Sequence, residues 1–387
     1  MAIDRRAFLG SGFLAATAGL QGKEASLLPR GFGPLKITDA KAVSADGYIY
    51  YKVFTDGGII GIGEPSPSGG AINADYLHKT LKPLLIGMNV FEIEKIWEKL
   101  YLGTYKIRGQ GVSMAISGVD IALHDIVGKA LGVPVYQLLG GLYRDRIRMY
   151  ASFTNRERPA KEQAVLCARM VEQGYSATKI KIAARHGFDS RPLEVDKELV
   201  REVRSAIGGK IDLMVDANSG YSVARAIQMG RYLESQNVFW FEEPVPFTDI
   251  EGTAKVAAAL DIPIAGGEQD HTRYDFHKLI AAGALDIIQA DVTKAGGLSE
   301  CKKIAAMADA AGLFYSPHDT SWNIGLAACL HLVASTPCCR YAQEFITEPR
   351  EGRAPFLKEP FQPDRGYLAV PQKPGLGIEV ADRYWNA

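Results

Sequence analysis

From Arg146 to about Gln343 the chain repeats one texture: a short apolar run, a polar residue at its end, then a stretch with helical spacing. The candidate strands are Arg148–Ser152, Thr178–Ile182, Asp212–Val215, Val238–Phe241, Ile262–Ala265, Asp286–Ala290, Leu313–Ser316 and Arg340–Gln343. Helical segments fall between them, such as Pro159–Gln173, Val195–Ile207, Val223–Gln236, Leu298–Ala311 and Ile324–Ala334. Short runs this apolar suit strands buried on both faces. Strands alternating with helices over roughly 200 residues predict an α/β fold of the (β/α)8 type, a modified TIM barrel. A doubly wound open sheet is the competing arrangement, and it gives no reason for polar residues at so many strand ends.

The texture before Arg146 is different. Leu35 to Phe54 is strand-like, Asp56-Gly57-Gly58 reads as a hairpin turn, and Ile59 to Glu64 is the returning strand. Helical stretches follow at Tyr76–Leu85, Phe91–Leu100 and Val112–Ala130, the last stopping before Gly132-Val133-Pro134. Strands followed by helices, without alternation, predict a compact α+β domain. Past Pro355 the alternation ends, and Gly366–Val370 reads as one more strand returning to that first domain. The expected layout is a leader over 1–30, an α+β capping domain over 31–146, the barrel over 147–354 and a closing segment over 355–387.

The leader expectation rests on Asp4-Arg5-Arg6-Ala7-Phe8-Leu9 and the short Gly- and Ala-rich apolar stretch behind it. Paired arginines before a weakly apolar stretch match a twin-arginine export signal, which predicts a periplasmic protein with no membrane span in the mature chain. Cleavage is expected near Ala16-Thr17-Ala18 or Ala25. Lys+Arg 44 balances Asp+Glu 44, and no basic run stands out, so nucleic acid is not an expected partner. Cys167, Cys301, Cys329, Cys338 and Cys339 lack metal-type spacing and sit mostly in apolar helical stretches, as buried free thiols do. The expected partner is a small molecule, and a homo-oligomer is the expected assembly.

In a parallel barrel, chemistry is built at the C-terminal ends of the strands. Seven successive ends carry Lys181, Asp216, Glu242, Glu268, Asp291, His318 and Glu344, separated by 35, 26, 26, 23, 27 and 26 residues. A single such residue reads as a helix cap; seven at the period of the βα unit read as a site. Asp216, Glu242 and Glu268 come from neighbouring strands, and three converging carboxylates would repel unless a cation compensates. An all-oxygen set selects a hard ion such as Mg²⁺. Glu243 competes with Glu242 for the ligand position, since strand alternation lets only one of them point inward. Lys179 and Lys181 share a strand face, and the like charge lowers the ammonium pKa towards that of a usable base. Asp291 beside His318 would fix the imidazole tautomer, and Glu344, if protonated, would donate to a substrate carboxylate.

Taken in order, Lys179-Ile180-Lys181, Val215-Asp216-Ala217-Asn218, Phe241-Glu242-Glu243-Pro244, Gly266-Gly267-Glu268, Asp291-Val292-Thr293-Lys294-Ala295-Gly296-Gly297, Pro317-His318 and Gln343-Glu344 resemble the enolase superfamily. Within it they are most similar to the mandelate racemase subgroup, from about Leu35 to Val380. The resemblance implies one Mg²⁺ per subunit, with Mn²⁺ as a substitute, on Asp216, Glu242 and Glu268. It makes Lys181 the base on one face, assisted by Lys179, and His318 paired with Asp291 the acid/base on the other. Glu344 would donate to the developing enolate. Acid-sugar dehydratases of this subgroup remove the α-proton of a carboxylate and then lose the β-hydroxyl, giving a 2-keto-3-deoxy acid.

The galactonate dehydratase branch is similar through the cap and tail, but it carries a histidine where this chain has Asn218, so its substrate is not carried over. Arg108, Lys106, His186, Asn218 and His271 are the candidate substrate contacts. Besides the dehydratase, two readings compete: a racemase or epimerase of a 2-hydroxy acid using the same Lys181 and His318, and an exported sugar-acid binding protein. A binding protein has no use for two bases beside a full metal cage.

Overall fold

The computed structural model describes residues 33–45, 47–185, 188–348 and 355–386. The expected leader and His186 lie outside the described residues. Three antiparallel strands open the fold: β1 (Ile37–Ala45), β2 (Tyr48–Thr55) and β3 (Ile60–Gly63). The strand-like run expected from Leu35 to Phe54 is therefore two strands, paired from Ile37↔Thr55 to Ala45↔Tyr48. Gly47, at φ 76°, supplies the left-handed residue that the reversal needs.

Behind this sheet lies the 22-residue helix Gln110–Leu131. It is long and apolar enough to cross a membrane, yet 94% of its apolar window is buried inside the protein, as for a core helix. Its approach to β3 is too close for side chains: a Cβ on Gly63 would lie 1.8 Å from the Gly118 carbonyl oxygen. Ile96, Trp97 and Leu100 of the helix Ile93–Gly103 join the same core.

The barrel follows as eight parallel strands: β4 (Arg146–Ser152), β5 (Ala177–Lys181), β6 (Asp212–Asp216), β7 (Trp240–Glu242), β8 (Ile264–Gly266), β9 (Ile287–Ile288), β10 (Phe314–Tyr315) and β11 (Gln343–Ile346). Ladders link β4 through β10 in order, and β11 pairs back onto β4. Between β10 and β11 the ring is bridged by side chains: Ser316 Oγ donates to the Ala342 carbonyl at 3.2 Å, and the Asp319 amide to Glu344 Oε2 at 3.2 Å. Seven helices alternate with the eight strands, and among the described residues none stands directly after β11. All five cysteines are buried free thiols.

The closing segment corrects one expectation. Its strand β12 (Tyr367–Ala369) pairs antiparallel with β4, so it belongs to the barrel and not to the cap. The return to the cap comes later. The Leu376 amide donates to Asp125 Oδ1 of the long helix at 2.9 Å, and the Val135 amide donates to the Gly375 carbonyl at 2.9 Å. The long helix also grips the barrel directly. Asp120 Oδ1 accepts from Ser299 Oγ at 2.6 Å, its Oδ2 accepts from the Ser299 amide at 3.0 Å, and Ser117 Oγ accepts from the Gly296 amide at 2.9 Å. A side chain at Gly297, where φ is 88°, would strike Asp120, so the glycine pair is what lets the two domains meet.

His331 pins the tail from inside the barrel helices. It is fully buried, with Nδ1 3.3 Å from the Tyr136 amide and Nε2 3.1 Å from the Leu376 carbonyl. Only the neutral ring, with its proton on Nε2, satisfies both, and burial pushes the imidazole down to about 4. The folded state therefore binds no proton here where an unfolded chain would. This contribution is complete above the ordinary histidine value and is lost as pH falls from about 6.5 towards 4, by roughly 3 kcal/mol. Denaturant midpoints between pH 7 and pH 5 should fall for the wild type and fall less for His331→Gln. Parallel slopes in the two proteins would remove His331 from the acid response.

Candidate active site

The strand ends converge as the barrel geometry requires. Lys181, Asp216 and Glu242 are the last residues of β5, β6 and β7, while Glu268, Asp291 and His318 lie two or three residues past β8, β9 and β10. Glu344 differs from expectation: β11 runs Gln343–Ile346, so Glu344 projects from within the strand.

Asp216 and Glu242 are fully buried and Glu268 is 5% exposed; one carboxylate oxygen from each lies within 4.8 Å of the others. Neighbouring groups orient them. The Asn218 amide donates to Asp216 Oδ1 at 2.7 Å, and Gln269 Nε2 to Glu268 Oε1 at 2.7 Å. Glu242 Oε2 accepts from Trp240 Nε1 at 3.1 Å and Gln289 Nε2 at 2.9 Å. Burial pushes the Glu242 carboxyl up to about 7, against the pull of Lys179, as expected for uncompensated carboxylates in one place. Glu268 Oε2 is buried without a hydrogen-bond partner, although His318 Nε2 lies 2.9 Å away. Three converging carboxylates, each offering a hard oxygen within 4.8 Å of the others, fit a divalent cation.

Glu243 escapes the alternation argument. It takes φ 42°, in the left-handed region, and so turns inward alongside Glu242 to line the cavity. Asn218 at φ 40° and Ser219 at φ 65° do the same after β6. Non-glycine residues in this region mark backbone held by its surroundings, here on either side of the carboxylate trio.

The two lysines also depart from expectation. Lys179 is fully buried, 2.7 Å from Glu242 Oε1 and 3.0 Å from Glu344 Oε1. Lys181 is hydrogen-bonded to Asp216 Oδ2. Burial and Lys179 lower the Lys181 ammonium, but Asp216, Glu268 and Glu242 outweigh them and its pKa is raised. The like-charge argument fails because the lysines face more carboxylates than each other. Glu344 is likewise not a protonated donor. Burial would raise it, but Lys179, His318 and Lys181 bring it down to about 2. It accepts from Ser152 Oγ at 2.7 Å and from the Asp319 amide.

His318 sits across the barrel from the lysines, its Nδ1 2.7 Å from Asp291 Oδ2. Asp291 is itself held by the amide and hydroxyl of Thr293, both at 2.7 Å from Oδ1. Burial alone would lower the imidazole, yet Glu268 and Asp291 carry it up to about 10.

Lys181, Glu268 and His318 line one cavity of about 390 Å³, together with Asn218 and Glu243. Other expected substrate contacts lie elsewhere. Arg108 and His271 line a separate cavity of about 330 Å³ between cap and barrel, and Lys106 is exposed beside the Tyr105 ring. In their place the cavity presents Ser68, from the short 3-10 turn Pro67–Gly69 of the cap, and Thr154, Arg156, Arg185, Phe247 and Thr320, on loops that sequence periodicity does not reach. Trp240 was legible: it precedes Glu242 by two positions in β7, hence on the same strand face, whereas Gln289 lies just past β9.

A barrel with an acidic trio between two facing acid/base groups defines a class, and the comparisons agree with it. Residues 28–140 match the family model described as the mandelate racemase / muconate lactonizing enzyme N-terminal domain, and residues 162–384 match enolase C-terminal domain-like. The chain belongs to the enolase superfamily, in its mandelate racemase subgroup. It is 36% identical over 340 residues to a D-galactonate dehydratase of Verminephrobacter eiseniae, covering 86% of this chain and 88% of that one. It is 33% identical over 355 residues to an arabinonate dehydratase of Saccharolobus solfataricus, covering 90% and 89%. A mandelate racemase/muconate lactonizing protein from Paracoccus denitrificans, solved with magnesium, superposes with a TM-score of 0.85 at 33% identity, covering 90% of this chain and 97% of that one. The chain is an enzyme of that superfamily.

Proposed function

We propose that the enzyme dehydrates an acid sugar in a Mg²⁺-dependent reaction, removing the α-proton of the carboxylate and expelling the β-hydroxyl to leave a 2-keto-3-deoxy acid. The observation that carries this reading is the placement of Lys181 and the His318–Asp291 pair in one cavity, on opposite sides of Glu268. Asp216, Glu242 and Glu268 would hold the cation, which when bound offsets their mutual repulsion and takes up the negative charge that proton removal places on the substrate carboxylate.

Lys181 then takes the α-proton: Asp216, Glu268 and Glu242 hold its ammonium up in the free protein, and a cation on those carboxylates would leave burial and Lys179 to favour the neutral, accepting form. Lys179, enclosed between Glu242 and Glu344, holds those two carboxylates in place. The carbon–oxygen bond at the β-position breaks as His318 gives its Nε2 proton to the leaving hydroxyl, which departs as water. Asp291 remains on Nδ1 throughout and favours the charged, proton-donating imidazole. The resulting enol becomes the keto acid on gaining a proton at carbon. Polar loops around the cavity suit a polyhydroxylated substrate, and the dehydratase relatives act on acids of that kind by name.

Incubating Mg²⁺-loaded protein with a library of aldonic and aldaric acids should release a product that reacts with semicarbazide as a 2-keto acid. Absence of keto acid from every member of the library would remove the proposal.

A further inference from the structure

The loops after β4 and β5 contribute two guanidinium groups, Arg156 and Arg185, to the wall of the cavity that Lys181 and His318 line. Arg156 is rigidly placed. Its Nη1 donates to the Ile182 carbonyl at 3.1 Å and its Nη2 to Asn218 Oδ1 at 2.5 Å, while its own carbonyl accepts from Arg191 at 3.0 Å. The loop bearing it is tied to the end of β11, where Glu348 accepts from the Thr154 amide at 2.9 Å and from Arg158 at 2.8 Å. A guanidinium has five donors, and these bonds leave Arg156 with some to spare.

Arg185 is exposed and makes no ion pair or hydrogen bond among the described residues. Both guanidiniums line the same cavity, and burial, with the charge of Arg185 acting against the attraction of Asp216, holds the Arg156 guanidinium below its ordinary value. Two like charges lining one cavity, Arg185 without a partner among the described residues, are costly in the empty protein and favourable once an anion lies between them.

From this geometry we infer that the substrate carries a second carboxylate at the end remote from the reacting carbon, which is to say that the enzyme takes an aldaric diacid and that Arg185 and Arg156 read its far end. This rests on the dehydratase reading above and sharpens it. The near carboxylate belongs at the trio of Asp216, Glu242 and Glu268. The α-carbon lies between Lys181 and His318, and the chain of hydroxylated carbons spans the cavity past Asn218. An aldonic acid would place a neutral hydroxyl against two guanidiniums, without an anion to balance them.

Two measurements test it. In the keto-acid assay, aldaric acids should be turned over with kcat/KM about tenfold or more above aldonic acids of the same configuration. Arg185→Gln should remove that advantage, lowering kcat/KM for aldaric acids about tenfold or more relative to aldonic acids. Turnover of aldonic acids alone, or an equal loss on both classes in Arg185→Gln, would overturn the diacid inference and leave the dehydratase reading standing. The second measurement needs no turnover: calorimetry of Mg²⁺-loaded protein with glutarate and with valerate, which match in length and differ only at the far end. Glutarate should bind more tightly in the wild type and lose that margin in Arg185→Gln. No preference for glutarate in the wild type would overturn the inference even if the keto-acid assay had already failed for every substrate.

Discussion

Lys181→Ala should lower turnover by about two to four orders of magnitude, the usual worth of a positioned proton acceptor. His318→Asn should be comparably inactive in product release but differ in what it still does in D₂O. With Lys181 intact, the α-proton can still exchange for deuterium, because enolate formation precedes the step that needs His318. Substrate recovered from the His318→Asn protein should therefore carry deuterium at the α-carbon and yield no keto acid. The wild type should yield keto acid throughout. If wild-type turnover instead gave the inverted epimer, deuterated at that carbon and without keto acid, His318 would be returning a proton to carbon and the reaction would be an epimerisation. The same two side chains serve both chemistries; only the fate of the β-hydroxyl separates them.

Glu268→Gln should weaken Mg²⁺ binding on the order of a hundredfold or more and abolish activity, while the fold survives. The side chain lines the cavity and lies outside the apolar core, so no packing is lost. In the metal-free protein, against the pull of burial, His318 and Lys294 hold the Glu268 carboxyl well below the usual carboxylate range, so losing its charge removes a favourable pairing and the thermal midpoint should fall. Titration calorimetry with MgCl₂ and a melting curve on the same sample decide this. Wild-type affinity in the variant would take Glu268 out of the ligand set.

Much of this architecture was legible before any coordinates. The barrel strands announce themselves as short apolar runs, and the residues that end them repeat at the period of the βα unit. The positions at fault share a physical cause. The last strand was placed three residues early, at Arg340, because Tyr341 and Ala342 are as apolar as a strand would be; they are buried or half-buried without pairing in the ladder. The protonation states expected for Lys181 and Glu344 failed because they depend on which charges end up adjacent across the barrel, and only the fold decides that. Glu243 defeated the alternation rule by a single left-handed residue. Arg156 and Arg185 sit in loops, where no periodicity marks which side chains turn inward. Arg108 is expected at the substrate from its place in a cap loop over the barrel mouth, but it and His271 line a different cavity.

The grip of the long helix on β3, on the closing segment and on the glycine pair before Ser299 has a bearing on how such an enzyme acquires new substrates. A cap transplanted from a relative would have to bring a matching aspartate for Ser299, a backbone that accepts contact at Gly63 and Gly118, and a tail that reaches Asp125. Those requirements sit in three stretches far apart in the sequence, so recombination at a domain boundary would rarely preserve them all. The loops bearing Thr154, Arg156 and Arg185 face no such demand from the cap. Point changes there can alter what the cavity admits while the carboxylate trio and its two flanking bases stay in place. Descent with changed specificity is therefore expected to run through single loop residues, with cap and barrel inherited together as a unit.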